Sequence, residues 1–247
     1  MANSPSGDSM LDRLVRILDA FDADHPALTV TSLARRAAVP RATAYRLVDE
    51  LVSHGLLARN DDGETRLGMR LWELSNRAAL TRDLRQVALP YMEDINRLLQ
   101  QNTQLSVLHE DEVLIVERLS RPGAAVNQAH VAGRMPVLRT SMGMALLAFA
   151  PQHVAEAFLD RHQQEVLALH PDLRRMLAHI RLTGYATLAG VTDPGTTGAA
   201  VPILDRRRRA VAVISVVVPT DSDLLPAAVM ALRTAAGGIA RSLAGPG

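Results

Sequence analysis

Residues 33–47 read LARRAAVPRATAYRL, and this stretch decides how the N-terminal part of the chain is organised. Leu33, Ala34 and Ala37 fall at helical spacing, Val39-Pro40 breaks the pattern, and a second periodic run begins at Ala42. Proline disfavours helix at the residue before it but suits a helix start, so two short helices joined by a tight turn are predicted. Thr31 stands ahead of the first as a cap. The second runs over 42–54 with Tyr45, Leu47, Val48, Leu51 and Val52 as its apolar stripe, and Gly55 stops it. Upstream, Met10, Leu14, Ile17, Leu18 and Phe21 define a helix over 10–21, with Asp8 or Ser9 as its cap. Downstream, residues 56–59 and 65–67 flank Asn60-Asp61-Asp62-Gly63 and read as a small hairpin.

Charge is distributed with a purpose in this region. No acidic residue lies between Asp24 and Asp49, whereas Arg35, Arg36, Arg41 and Arg46 all do. They fall on the first helix of the pair, the turn, and the first turns of the second helix. In a helix-turn-helix these are the parts that approach phosphate and enter the major groove. The second helix presents Arg41, Thr43 and Ala44 near its N-terminus, where small side chains permit close approach and helix N–H groups favour phosphate.

The remainder of the chain reads differently. A helix from Met69 to Leu80 carries the single tryptophan, Trp72, and Thr81 caps a further helix with Leu84, Val87, Ala88, Tyr91, Met92, Ile95, Leu98 and Leu99 in phase. Pro90 is expected to kink it. Strand-like runs at 104–108 and 113–119 flank a turn, and helices are predicted at about 141–159, 172–183 and 223–243. Residues 201–204 and 210–218 make a second hairpin around Asp205 and four arginines. Mixed elements of this kind argue an α+β domain with an antiparallel sheet flanked by helices.

Composition removes several function classes. The 247 residues contain no cysteine and no lysine, all 27 basic residues being arginine. Disulfides, cysteine–zinc sites, a Walker-A phosphate loop and lysine Schiff bases are thereby excluded. Aromatic residues are 3% of the chain, too few for an RNA reader built on stacking. Neither Gly-x-Ser-x-Gly nor Gly-x-Gly-x-x-Gly occurs. His109, Glu110, Asp111 and Glu112 read as a solvated turn and Arg206–Arg209 as an exposed loop, so neither metal nor cofactor is expected. The polar N-terminus lacks the apolar core of a signal peptide, and apolar runs such as residues 211–219 are half a membrane span. A cytoplasmic protein with no membrane partner is expected.

The motif at 33–47, followed by Leu51 and Gly55, resembles the winged helix of IclR-type transcriptional regulators. Gly133-Arg134-Met135-Pro136 with residues 140–148 (TSMGMALLA) resembles that family's effector-domain signature. So do Ile180-Arg181, Gly184-Tyr185, Gly195 and Ala200-Val201-Pro202. The resemblance runs from about Met10 to Leu243. It implies a tail at 1–8, a winged helix-turn-helix at 9–68, a linker helix at 69–83, and a GAF-like effector-binding and oligomerisation domain at 84–247. It implies further a homodimer, or a dimer of dimers, on pseudo-palindromic double-stranded operator DNA.

By the same resemblance Arg41, Ala42, Thr43, Ala44 and Arg46 face DNA with Tyr45 beside them, and Arg35 lies on the neighbouring helix. Arg41 and Thr43 suit base edges, Arg36 and Arg46 phosphate. The wing departs from the family: Thr65 stands where an aromatic residue is usual, and Asp61, Asp62 and Glu64 make its tip acidic.

For the C-terminal domain, Thr140 or Ser141 caps a helix whose N-terminus suits a carboxylate. The family signature adds Gly143. Gly198 stands where relatives commonly show cysteine, Val217 replaces the second of two serines of which Ser215 keeps the first, and Leu188 stands where some relatives carry aspartate. Fewer polar groups, with Met135, Leu138, Met142 and Met144 nearby, favour an aromatic or apolar organic acid over a small keto acid. The whole is then a ligand-responsive regulator of a catabolic pathway. The alternative is a small-molecule-metabolising enzyme with an N-terminal dimerisation domain. It requires a nucleophile–base pair or metal cluster that the sequence does not display.

Overall fold

A computed structural model describes residues 8–22, 24–76, 79–125, 129–191 and 193–244. The chain divides into two compact units, with the division between Ala79 and Leu80, inside the expected linker helix. The expected tail lies outside the described residues except for Asp8, as do positions 77–78 of the expected linker helix.

In the first unit, α1 (Met10–Asp19) is capped by Ser9, whose hydroxyl accepts from the Asp12 N–H while the Asp12 carboxylate accepts from the Ser9 N–H. The two-residue strand β1 (Ala27–Leu28) precedes α2 (Val30–Arg36). Thr29, not Thr31, caps α2: its backbone is extended, and its hydroxyl accepts from the Ser32 N–H. The turn into α3 (Arg41–Ser53) places Ala38 at φ 51°, a left-handed conformation that disfavours a β-carbon. Hairpin strands β2 (Leu57–Arg59) and β3 (Thr65–Leu67) pair as expected, and β1 completes a small antiparallel sheet in the order β1-β3-β2. Leu33, Ala34, Ala44, Leu47, Val48 and Leu57 form the core between the helices and this sheet. The last helix of the unit is α4 (Met69–Asn76).

The second unit begins in α5 (Ala79–Leu99), with Thr81 inside the helix rather than ahead of it. α5 runs through Pro90 as one helix; Gln86, whose carbonyl loses its donor, is exposed with Pro90. Strands β4 (Thr103–His109), β5 (Glu112–Leu119) and β6 (Arg134–Pro136) lead into a 3-10 turn at Val137–Arg139 and then α6 (Ser141–Ala148). The predicted helix 141–159 is broken at Pro151 into α6 and α7 (Gln152–Arg161), since the residue before proline avoids helix. There follow α8 (Gln163–Leu169), α9 (Leu173–Thr183), β7 (Ala186–Ala189), β8 (Thr196–Leu204), β9 (Ala210–Pro219) and α10 (Leu224–Leu243).

Among the described residues the strands form one antiparallel sheet in the order β6-β5-β4-β9-β8-β7. Alternation sorts its side chains onto two cores. Ala199, Val201, Ile214 and Val216 pack with α5 and α10, whereas Val113, Ala200 and Val213 pack with α6 and α9. Burial on both faces explains the apolar character of β9, interrupted only at Ser215. Arg85 of α5 reaches the buried Glu117 on β5, pinning that helix to the sheet.

Candidate nucleic-acid interface and effector cavity

α3 is half core and half surface. Ala44, Leu47, Val48 and Leu51 are buried, which leaves Arg41, Ala42, Tyr45 and Arg46 exposed and Thr43 half-buried. Ala44 therefore belongs to the core, with no exposed surface at all, and cannot face DNA as expected. Pro40 supplies no side-chain cap, so the N–H groups of the first turn stay open toward solvent beside Arg41. Among the described residues no carboxylate pairs with Arg35 or Arg41. Arg46 donates to Glu50 one turn on, at 2.9 Å.

Arg36 does something else. Its Nε donates to the Ala20 carbonyl at 2.8 Å and its Nη2 to Asp22 at 2.5 Å. A hydrogen bond from His25, together with the Arg36 charge, holds the Asp22 carboxyl below its usual range. Arg36 thereby braces α2 against the end of α1.

In the second unit a cavity of about 50 Å³, partly open to solvent, lies between the start of α6 and one face of the sheet. Met135, Thr140, Ser141, Met142, Leu188, Gly198, Ser215 and Val217 line it. Leu138, Gly143 and Met144 do not. Leu138 and Met144 are buried in the core behind α6, and a β-carbon on Gly143 would fall 2.2 Å from the Val137 carbonyl oxygen. Gly143 is there so that α6 can lie against the preceding 3-10 turn. Thr140 is the α6 cap, its hydroxyl accepting from the Gly143 N–H at 3.0 Å. The N–H groups of Ser141 and Met142 remain at the open end of the helix.

Gly198 does not leave the free volume that its small size suggested. A β-carbon there would lie 2.7 Å from the Ser141 hydroxyl, which occupies that space. Arg139, with Glu165 3.9 Å away, and Asp193, which accepts from the Gly195 N–H, also line the cavity. The floor includes Gln104, a lining residue that the sequence reading passed over. Gln104 and Ser106 alternate on β4 as polar residues of a strand that turns out to be central and covered. That alternation was the available signal, but in sequence it reads as a solvent-facing edge. The turn at 109–112 is likewise not simply solvated. Arg161 and His162 both bond Asp111, and the Arg161 hydrogen bonds above all lower its carboxyl to about 2.

Residues 10–61 match the IclR helix-turn-helix domain, and residues 77–241 match the C-terminal domain of the bacterial transcriptional regulator IclR. The chain belongs to the IclR family. It is 28% identical over 211 residues to the HTH-type transcriptional regulator XynR of Escherichia coli K12, covering 83% of this chain and 84% of that one. The glycerol operon regulatory protein of Streptomyces coelicolor is also 28% identical, over 94% of this chain and 95% of its own. Among solved structures, an IclR homologue of Microbacterium hydrocarbonoxydans complexed with 4-hydroxybenzoate superposes with a TM-score of 0.86. That homologue is 42% identical, over 96% of this chain and all of that one. As an IclR-family protein the chain is a ligand-responsive DNA-binding transcriptional regulator, not an enzyme. Its fold is the family's winged helix-turn-helix followed by a GAF-like domain.

Proposed function

We propose that this regulator controls a catabolic pathway in response to an aromatic acid held in the α6 cavity. In this reading the acid's carboxylate meets the N–H groups of Ser141 and Met142, and its ring packs on Met135, Met142 and Val217. The Microbacterium neighbour, complexed with 4-hydroxybenzoate at 42% identity, is the observation that carries it. The positive end of α6 favours an anion, and the methionine and valine walls favour a ring over a short keto acid.

On the DNA side, Arg41 and Thr43 read base edges while Arg35 and Arg46 hold phosphate. A homodimer, or a dimer of dimers, sets two α3 helices on a pseudo-palindromic operator in the cytoplasm. Met69 and Trp72 on α4, 69% and 63% exposed, offer an apolar strip for the second copy.

Thermal shift with the full chain tests the ligand class. At a hundredfold excess over Kd a bound acid contributes about 2.7 kcal/mol, enough to raise Tm by several degrees. Aromatic acids are expected to do so and pyruvate is not. Stabilisation by pyruvate alone would overturn the proposal.

A further inference from the structure

We infer that Gln104 is a specificity-determining residue of the cavity, and that it selects an aromatic acid bearing an oxygen para to its carboxylate. This deepens the aromatic-acid reading and rests on it. Gln104 is 1% exposed, lines the cavity, and accepts from the Ser215 hydroxyl through its Oε1 at 3.3 Å. Its Nε2, a buried amide donor, has no protein partner among the described residues. A buried donor without an acceptor is expensive, and a ligand that brings an acceptor removes that expense.

Strand register places this donor across the sheet from the contact between Gly198 and Ser141. Gln104 pairs with Ser215 on β9 and Ser215 with Ala200 on β8, while two residues along, Val217 pairs with Gly198. Gly198 is the position that touches Ser141 at the start of α6. Gln104 thus lies two strands away from that contact, about 10 Å across the sheet. A benzene ring carrying groups at para positions bridges such a gap once a hydrogen bond is added at each end. The carboxylate meets the α6 N–H groups, the para oxygen accepts from Gln104, and Ser215 acts as a positioning residue that holds the amide.

Calorimetric titration of the full chain with 4-hydroxybenzoate and with benzoate tests this. The wild-type protein is expected to favour 4-hydroxybenzoate by about tenfold or more, because benzoate leaves the donor unpaired. Gln104→Leu is expected to bring the ratio near one, by weakening 4-hydroxybenzoate while benzoate holds or tightens. Ser215→Ala, a milder change that keeps the amide and removes only the hydroxyl holding it, is expected to narrow the ratio part-way. It keeps the test decisive if Gln104→Leu does not fold. A wild-type ratio near one, or a ratio that neither variant moves, overturns the role of Gln104 and leaves the aromatic-acid reading standing. Failure of both acids to bind the wild-type protein overturns that reading and the inference together.

Discussion

α3 and α6 both start with N–H groups that no helical carbonyl takes up, yet they work in opposite surroundings. α3 presents Arg41, Ala42, Tyr45 and Arg46 to water and gives only its other face to the core. α6 is buried over all eight of its residues, and its glycine lies against the backbone of Val137. Charges on the first helix act through solvent, where salt screens them within about 8 Å at physiological ionic strength. Polar groups beside the second act where an unmet donor has nothing else to bond. A change on the exposed face of α3 should therefore alter binding and spare the fold, whereas a change on α6 should disturb the fold before binding is even at issue.

The sharpest way to break that contrast is Gly143→Ala. The added β-carbon would meet the Val137 oxygen, Cα and carbonyl carbon at 2.2, 2.4 and 2.6 Å, and backbone cannot swing aside as a side chain can. A loss of about 3 kcal/mol or more is expected in the second unit, measured by urea unfolding followed by circular dichroism. An unchanged midpoint would mean that α6 is not fixed as described. On α3, Arg41→Ala should leave the midpoint alone and lower operator affinity by ~1–3 kcal/mol, with loss of preference at one base per half-site. If the ranking of operator variants survives, Arg41 does not read a base.

Arg36→Ala separates binding from bracing within the first unit. Because Arg36 is held by Ala20 and Asp22, its loss should lower the Tm of that unit and leave the salt slope of DNA binding unchanged. A flatter slope would return Arg36 to phosphate contact. The smallest effect concerns Asp111, whose carboxyl titrates at about 2 in the folded chain against an ordinary 3.8. Its pairing with Arg161 and His162 contributes fully above the ordinary value and is lost as pH falls from about 4 toward 2. After allowance for solvent screening, about 1 kcal/mol is at stake. Asp111→Asn should remove that part of the acid sensitivity of the second unit, and an identical acid profile in the variant would show the pairing to be immaterial.

The first unit was largely legible in sequence because its helices are amphipathic and its charges cluster in one window. What escaped were matters of direction. Residue type made Ala44 and Arg36 look like DNA contacts, but helical phase buries the one and Asp22 captures the other. The cavity was legible at Met135 and Leu188, at the start of α6, and along β8 and β9. Leu138 and Met144 have the right chemistry for a ligand wall, yet they point into the core behind α6. Gln104 could not be placed, since its meaning depends on a strand pairing with Ser215, 111 residues away. Short strands such as β6 and β7 escaped because three or four residues carry too little periodicity to register.

Coupling between the two units decides whether the account holds. Fluorescence anisotropy of a labelled DNA fragment from upstream of the regulated genes, titrated with the full-length protein with and without saturating 4-hydroxybenzoate, measures it directly. A ligand that regulates must bind the DNA-competent and incompetent states unequally, so the acid should shift the apparent Kd for this fragment about tenfold or more and leave nonspecific DNA unaffected. Superimposable curves, obtained with an acid shown calorimetrically to occupy the protein, would contradict the account.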